Sequence, residues 1–203
     1  MQKTLIKQEP FPLSKTRAIK GNRRLVREKV MQILVSYQVS KTDLNVLFKH
    51  IFFRDFYIDN EELEENVEAN NTLHKKVFSP EEIAEMLADT TIDWRENDIT
   101  FGQILTKECI QNKDFIYSIL KQISENWDFD RVTIIDKTII VMGTTEMMCF
   151  PDIPLKVTLN EIVELAKKYS SEKSSIFVNG ILEKMKYQLE KENKINKSER
   201  GQA

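Results

Sequence analysis

This sequence predicts an all-α fold, and three observations carry that expectation. Glycine and proline are scarce, five of each among 203 residues, so the chain has few of the breakers that a many-turned β-sandwich needs. It is rich in Leu, Ile, Glu and Lys, a mixture that over this length favours helices. Apolar side chains recur at three- and four-residue spacing through most segments, as one face of a helix requires. With 41% hydrophobic and 31% charged residues, the chain fits one globular domain or two small subdomains sharing a core.

Residues 1–21 hold Pro10, Pro12 and Gly21 among scattered basic residues and are expected to be a flexible basic arm. Structure is expected from Asn22, a residue suited to capping a helix whose inward positions are Val26, Val30, Ile33, Leu34 and Tyr37. Asp43 precedes a second pattern, Leu44, Leu47, Phe48, Ile51, Phe52 and Phe56. Those aromatics could stack on nucleic-acid bases, but at strict helical spacing they belong to a core.

An acidic insertion over about 58–98 follows. Within it, Ser79-Pro80-Glu81-Glu82 has the form of a helix start, with Ser79 as cap, Pro80 at the first helical position and Glu82 completing a capping box, and it predicts a short helix through Leu87. Two further helices are expected at 99–111 and 114–125, the second closed by Trp127. Residues 131–150 contain Val132, Thr133, Ile134, Ile135, Ile139, Ile140 and Val141, whose β-branched chains favour strands. A lone hairpin would have no sheet to join, whereas Val132, Ile135, Ile139, Met142 and Glu146 fit a helical repeat, so a buried helix is expected. Beyond Pro151 and Pro154, Val157, Ile162, Leu165, Ala166 and Tyr169 mark another helix ending near Ser170. The last begins around Ser174, with Phe177, Ile181, Leu182, Met185 and Leu189 inward, and a disordered tail is expected over 191–203. Gly180 interrupts that last pattern and would let another helix approach closely.

A formal net charge of −2 conceals a strong segregation. Residues 1–29 carry nine Lys or Arg against two Glu, and residues 59–98 carry thirteen Asp or Glu against three basic residues. The basic end suits a polyanion and the acidic stretch repels one. Cys109 and Cys149 lie in apolar surroundings without CxxC or Cys/His spacing and read as buried thiols. No stretch approaches the ~20 apolar residues of a membrane helix and the N-terminus lacks a signal-peptide core, so a reducing cytoplasm is the expected setting, without membrane association. His50 and His74 are the only histidines, no nucleophile or phosphate-loop motif accompanies them, and neither an enzyme nor a cofactor is expected.

Residues 154–182, with Thr158-Leu159-Asn160-Glu161-Ile162, Lys167-Lys168-Tyr169-Ser170 and Phe177-Val178-Asn179-Gly180-Ile181-Leu182, resemble the C-terminal signature of the NusB family. Arg23-Arg24-Leu25-Val26-Arg27-Glu28, with Gln32 and Tyr37, resembles its arginine-rich first helix, and the stretch from Ile135-Asp136-Lys137 to Glu146 resembles the helix before its proline-containing connection. The matches cover roughly 22–40 and 99–186; the arm and the section 41–98 depart from the compact pattern. The resemblance implies two small packed helical bundles of about seven or more helices within residues 22–190. It implies an RNA-binding transcription antitermination factor, without catalysis, that binds single-stranded boxA RNA of ribosomal RNA transcripts together with the tenth small-subunit ribosomal protein, NusE, in an RNA polymerase antitermination complex.

Residue by residue, the resemblance assigns RNA contact to Arg23, Arg24, Arg27, Lys173 and Ser174, and contact with the protein partner to Asp136 and Glu146. Three- and four-residue spacing would gather the arginines into one cluster near the helix start, where forked guanidinium donors and the helix amides both suit phosphate. The same arginines could instead form a solvated face with Glu28. Lys173, where many family members are acidic, would sit close to the first helix and add attraction. Ser174 fits equally well as a helix cap, and Asp136 as a solvated helix residue. A helical adaptor that binds only proteins is the competing functional class.

Overall fold

The computed structural model describes residues 19–53, 92–123 and 131–195. The arm before residue 19, the acidic section with its Ser79 helix start, Trp127 and the tail beyond 195 lie outside the described residues.

The chain divides into two units. The first contributes two described strands, β1 (Ile19–Lys20) and β2 (Ile92–Asp93), paired in parallel with Ile19 opposite Ile92. The described residues thus begin three positions before Asn22. Gly21 follows, its N–H donating to the Asp93 carbonyl at 2.8 Å. A Cβ there would stand 2.5 Å from the Trp94 ring, so only glycine fits.

The second unit contains six described helices: α1 (Arg23–Ser40), α2 (Leu44–Phe48), α3 (Glu96–Ile123), α4 (Ile134–Cys149), α5 (Leu155–Tyr169) and α6 (Glu172–Lys191). Asn22 caps α1 by accepting from the Leu25 N–H, and Asp43 caps α2 by accepting from Asn45 and Val46, as their residue types suggest. The α2 helix continues into a wider π-helical turn, Lys49–Phe53, which buries Phe52. Phe48 stacks on Phe52 with ring centroids 4.2 Å apart, so these aromatics pack among themselves.

Where the residue pattern predicts two helices, α3 runs unbroken for 28 residues. Nothing between Gly102 and Ile123 interrupts a helix, and Asn112, the natural breakpoint, turns its side chain back onto the Glu108 carbonyl at 2.9 Å. At 1.5 Å per residue α3 spans roughly 42 Å.

The stretch with the strongest strand propensity is helical. Thr133 caps α4, and every residue from Thr138 to Met147 is buried. Burial on all sides outweighs the preference of isolated β-branched residues for extended backbone. Gly143 makes this packing possible, since a Cβ would lie 2.9 Å from Leu182 and 3.1 Å from Ile162. Close approach therefore occurs at Gly143 and not at Gly180, which the broken pattern of α6 suggests for it but which has nothing within 4 Å of its would-be Cβ. The core gathers Val26, Val30 and Ile33 of α1, Leu105, Ile116 and Leu120 of α3, Ile139, Ile140 and Met142 of α4, Ile162 of α5, and Leu182 and Met185 of α6. Among the described residues no helix is long and apolar enough to cross a membrane.

Candidate nucleic-acid interface

The first turn of α1 sorts its three arginines by the direction each faces. Arg27 points into the bundle and keeps only 3% of its surface. Its Nε and Nη2 each donate to the Glu146 carboxylate at 2.8 Å. Glu146 is fully buried and also accepts from the Thr158 hydroxyl at 2.8 Å. Arg27 Nη1 donates to the Arg23 carbonyl at 3.3 Å, tying the side chain to the start of its own helix. The Phe101 ring receives Arg23 at 4.9 Å and Arg27 at 5.3 Å from its centroid, a cation–π arrangement that fixes both guanidinium groups.

Arg23 and Arg24 remain exposed. They border a cleft of about 340 Å³ whose far wall is formed by Asp152, Ile153, Pro154, Val157 and Glu161. Arg24 is engaged across it: Nε donates to Glu161 Oε2 at 3.0 Å and Nη2 to Oε1 at 2.7 Å. The hydrogen bond and the charge of Arg24 hold the Glu161 carboxyl below the usual range despite partial burial, and Glu161 in turn raises the Arg24 guanidinium further.

One turn along α1, Glu28 accepts from Lys168 Nζ at 2.8 Å and from the Tyr169 hydroxyl. Burial opposes ionisation of Glu28, yet these two donors and the charges of Lys168 and Lys29 outweigh it and lower the carboxyl pKa. The alternative expectation for Glu28, a partner for the arginines, is replaced by this link to the end of α5.

The arginine cluster therefore differs from the expected one. Arg23 and Arg24 stand together at the surface, whereas Arg27 is withdrawn because it neutralises Glu146 inside. Glu146 and Asp136, which the resemblance assigns to a partner surface, are both turned inward. Asp136 is 3% exposed and accepts from the hydroxyls of Thr133 at 2.9 Å and Ser170 at 2.7 Å. Neither carboxylate is open to a basic protein face. Ser171, one residue past the α5 cap, caps α6 by accepting from the Ser174 N–H at 3.1 Å, so Ser174 lies inside the first turn and is not the cap. Lys173 is exposed on that turn.

Sequence reasoning missed the internal role of Arg27 and Glu146, although its signal was present. Arg27 lies three residues before Val30 and seven before Leu34, on the apolar stripe, and Glu146 falls on the inward repeat of α4. Opposite charges on two apolar stripes are the pattern of a buried pair. Cys109 is buried, which pushes its thiol pKa up, and Cys149 is half-buried beside Glu108. Among the described residues no three His, Cys, Asp or Glu side chains gather as a metal site would need.

The described chain is thus a helical protein with an interior Arg–Glu lock and an arginine-bordered cleft at its first helix. Its sequence matches the profile of the NusB family over residues 24–187, and the chain belongs to that family. It is 31% identical to the transcription antitermination protein NusB of Chloroherpeton thalassium, over 89% of this chain and 68% of that protein. The fold is similar to that of T. maritima NusB, with a TM-score of 0.57, 21% identity, and coverage of 82% of this chain and 92% of that one. It is similar also to a structure of the antitermination factors NusB and NusE in complex with dsRNA, with a TM-score of 0.55, 17% identity, and coverage of 82% and 96% respectively. The six described helices, with only a two-stranded pairing beside them, agree with the expected all-α class.

Proposed function

We propose that this chain acts in the cytoplasm as an RNA-binding transcription antitermination factor, gripping single-stranded RNA with the face that presents Arg23 and Arg24. The carrying observation is the pair of exposed arginines on the first turn of α1, in a member of the NusB family. Planar guanidinium forks suit phosphate oxygens, and the amides at the helix start add positive potential in the same place. Lys173 and Ser174, on the first turn of α6, extend contact along the strand. The RNA is a boxA-type element of ribosomal RNA transcripts, and the protein partner is NusE, the pair assembling with RNA polymerase. A related structure with NusB, NusE and dsRNA together supports that partnership. The partner surface excludes Asp136 and Glu146 and uses exposed side chains instead. Function of this kind is binding without catalysis.

Fluorescence anisotropy of a boxA-type RNA, titrated with and without NusE, tests this reading. Three or four phosphate contacts give a log–log salt slope of roughly −2 to −3 for a single strand. Absence of RNA binding at every salt concentration would leave the protein-only adaptor as the function.

A further inference from the structure

We infer that Glu161 is an intramolecular competitor for RNA phosphate at Arg24, setting how much of that arginine's charge a transcript can use. The inference deepens the RNA-binding reading and rests on it. The geometry supplies the argument. A carboxylate held by Nε and Nη2 of one guanidinium, at 3.0 and 2.7 Å, uses the same forked donors that would bind two phosphate oxygens. Glu161 thus occupies the place a phosphate would take. Exposure makes the occupant replaceable: the Arg24 side chain retains 65% of its surface and that of Glu161 19%, and ion pairs open to solvent contribute little.

Release does not strand the carboxylate. Glu161 Oε2 lies 3.9 Å from Arg27 Nη1, so a countercharge remains when Arg24 turns outward. Arg27 cannot follow, being held by Glu146. The other acidic groups here are Asp152, on the cleft wall, and Glu164, whose charge Arg24 senses; neither is hydrogen-bonded to Arg24 in the structure. Glu161 alone combines contact with displaceability. A transcript must exchange one anion for another at Arg24, and that exchange offsets part of its gross attraction.

The test is a cycle of Glu161→Gln, Arg24→Ala and the double variant, read by anisotropy of a single-stranded boxA-type RNA across a salt series, with thermal melts to confirm folding. Glutamine keeps one oxygen for Arg24 and removes the charge. Glu161→Gln is expected to tighten binding about two- to fivefold, the scale of one exposed ion pair, and to steepen the salt dependence. The gain should vanish in the Arg24→Ala background. Unchanged or weaker binding by folded Glu161→Gln, with Arg24→Ala still impairing the wild type, overturns this inference and leaves the RNA-binding reading standing. A gain that persists undiminished without Arg24 reflects general repulsion and overturns it as well. No binding by the wild type or any variant removes both readings. Should Glu161→Gln melt early, Glu161→Asp, which shortens the reach to Arg24 while keeping the charge, gives the same gain if competition is the cause and none if it is not.

Discussion

Arg27 and Glu146, separated by 119 positions in the chain, are joined by two 2.8 Å hydrogen bonds in a place that solvent does not reach. Each is buried because the other is. Removing one partner of such a pair leaves an uncompensated charge, which costs about 3–5 kcal/mol. Glu146→Leu is therefore expected to lose about that much unfolding free energy in urea, and the double variant Arg27→Met/Glu146→Leu to recover most of it. A single variant as stable as the wild type would refute the pair's role.

Because Arg27 is interior, RNA contact is tested by Arg23→Ala/Arg24→Ala. This double variant should weaken RNA binding and make the log–log salt slope shallower by roughly 0.7 for each phosphate the protein no longer neutralises. Its melting temperature should stay within the scatter of surface substitutions. A substantially lower melting temperature, or an unaltered slope, would argue against these side chains as phosphate ligands.

Glu28 and Glu161 both have carboxyl pKa values lowered by folding. The stability they add is present above the unfolded carboxylate value of about 4.3 and disappears as pH falls through it toward the folded values. Lys168, raised by its hydrogen bond to Glu28, acts at the opposite end: its contribution is present below about 10.4, the unfolded lysine value, and is lost as pH rises beyond it. Unfolding free energy measured against pH should fall on the acid side below about 4.3, and Glu28→Gln should flatten that limb. An identical acid limb in the variant would count against the link from α1 to α5.

Gly143 of α4 and Gly180 of α6 predict opposite outcomes. Gly143→Ala forces a methyl group against Leu182 and Ile162 and should destabilise by about 1–3 kcal/mol, as overpacking does. Gly180→Ala meets open space and should stabilise by about 0.5–1 kcal/mol, the difference in helix propensity. Paired denaturation curves decide both, and the reverse order would show the packing to be different.

Helix positions with a clear apolar stripe are legible in the sequence. The caps Asn22 and Asp43, the inward residues Ile162, Leu165 and Ala166 of α5 and Ile181, Leu182, Met185 and Leu189 of α6 follow from spacing and side-chain chemistry alone, whereas Val157, on the same apolar pattern, is 44% exposed. What the sequence hides depends on neighbours far along the chain. The union of 99–111 and 114–125 into α3 reflects the absence of a strong stop at Asn112, whose polar side chain bonds its own helix. An arginine in an arginine-rich turn suggests solvent, and only the facing Glu146 makes burial of Arg27 tolerable. The exposed pair Arg23 and Arg24 is readable; the carboxylate that occupies one of them is not, since Glu161 lies 137 positions away.

The enclosure of α4 has one more consequence. A rod greasy on every side has no preferred azimuth, and apolar packing alone would let it rotate or slide among similar arrangements. Three polar fastenings remove that freedom: Glu146 to Arg27, Thr138 to the Gln38 amide at 2.9 Å, and Asp136 to Ser170. They are spaced along the helix and engage α1 at two levels and the end of α5 at a third. Together they act as keys in a lock cylinder, admitting one rotation and one depth of insertion, so that the same residues which cost most to bury determine how the central rod is seated.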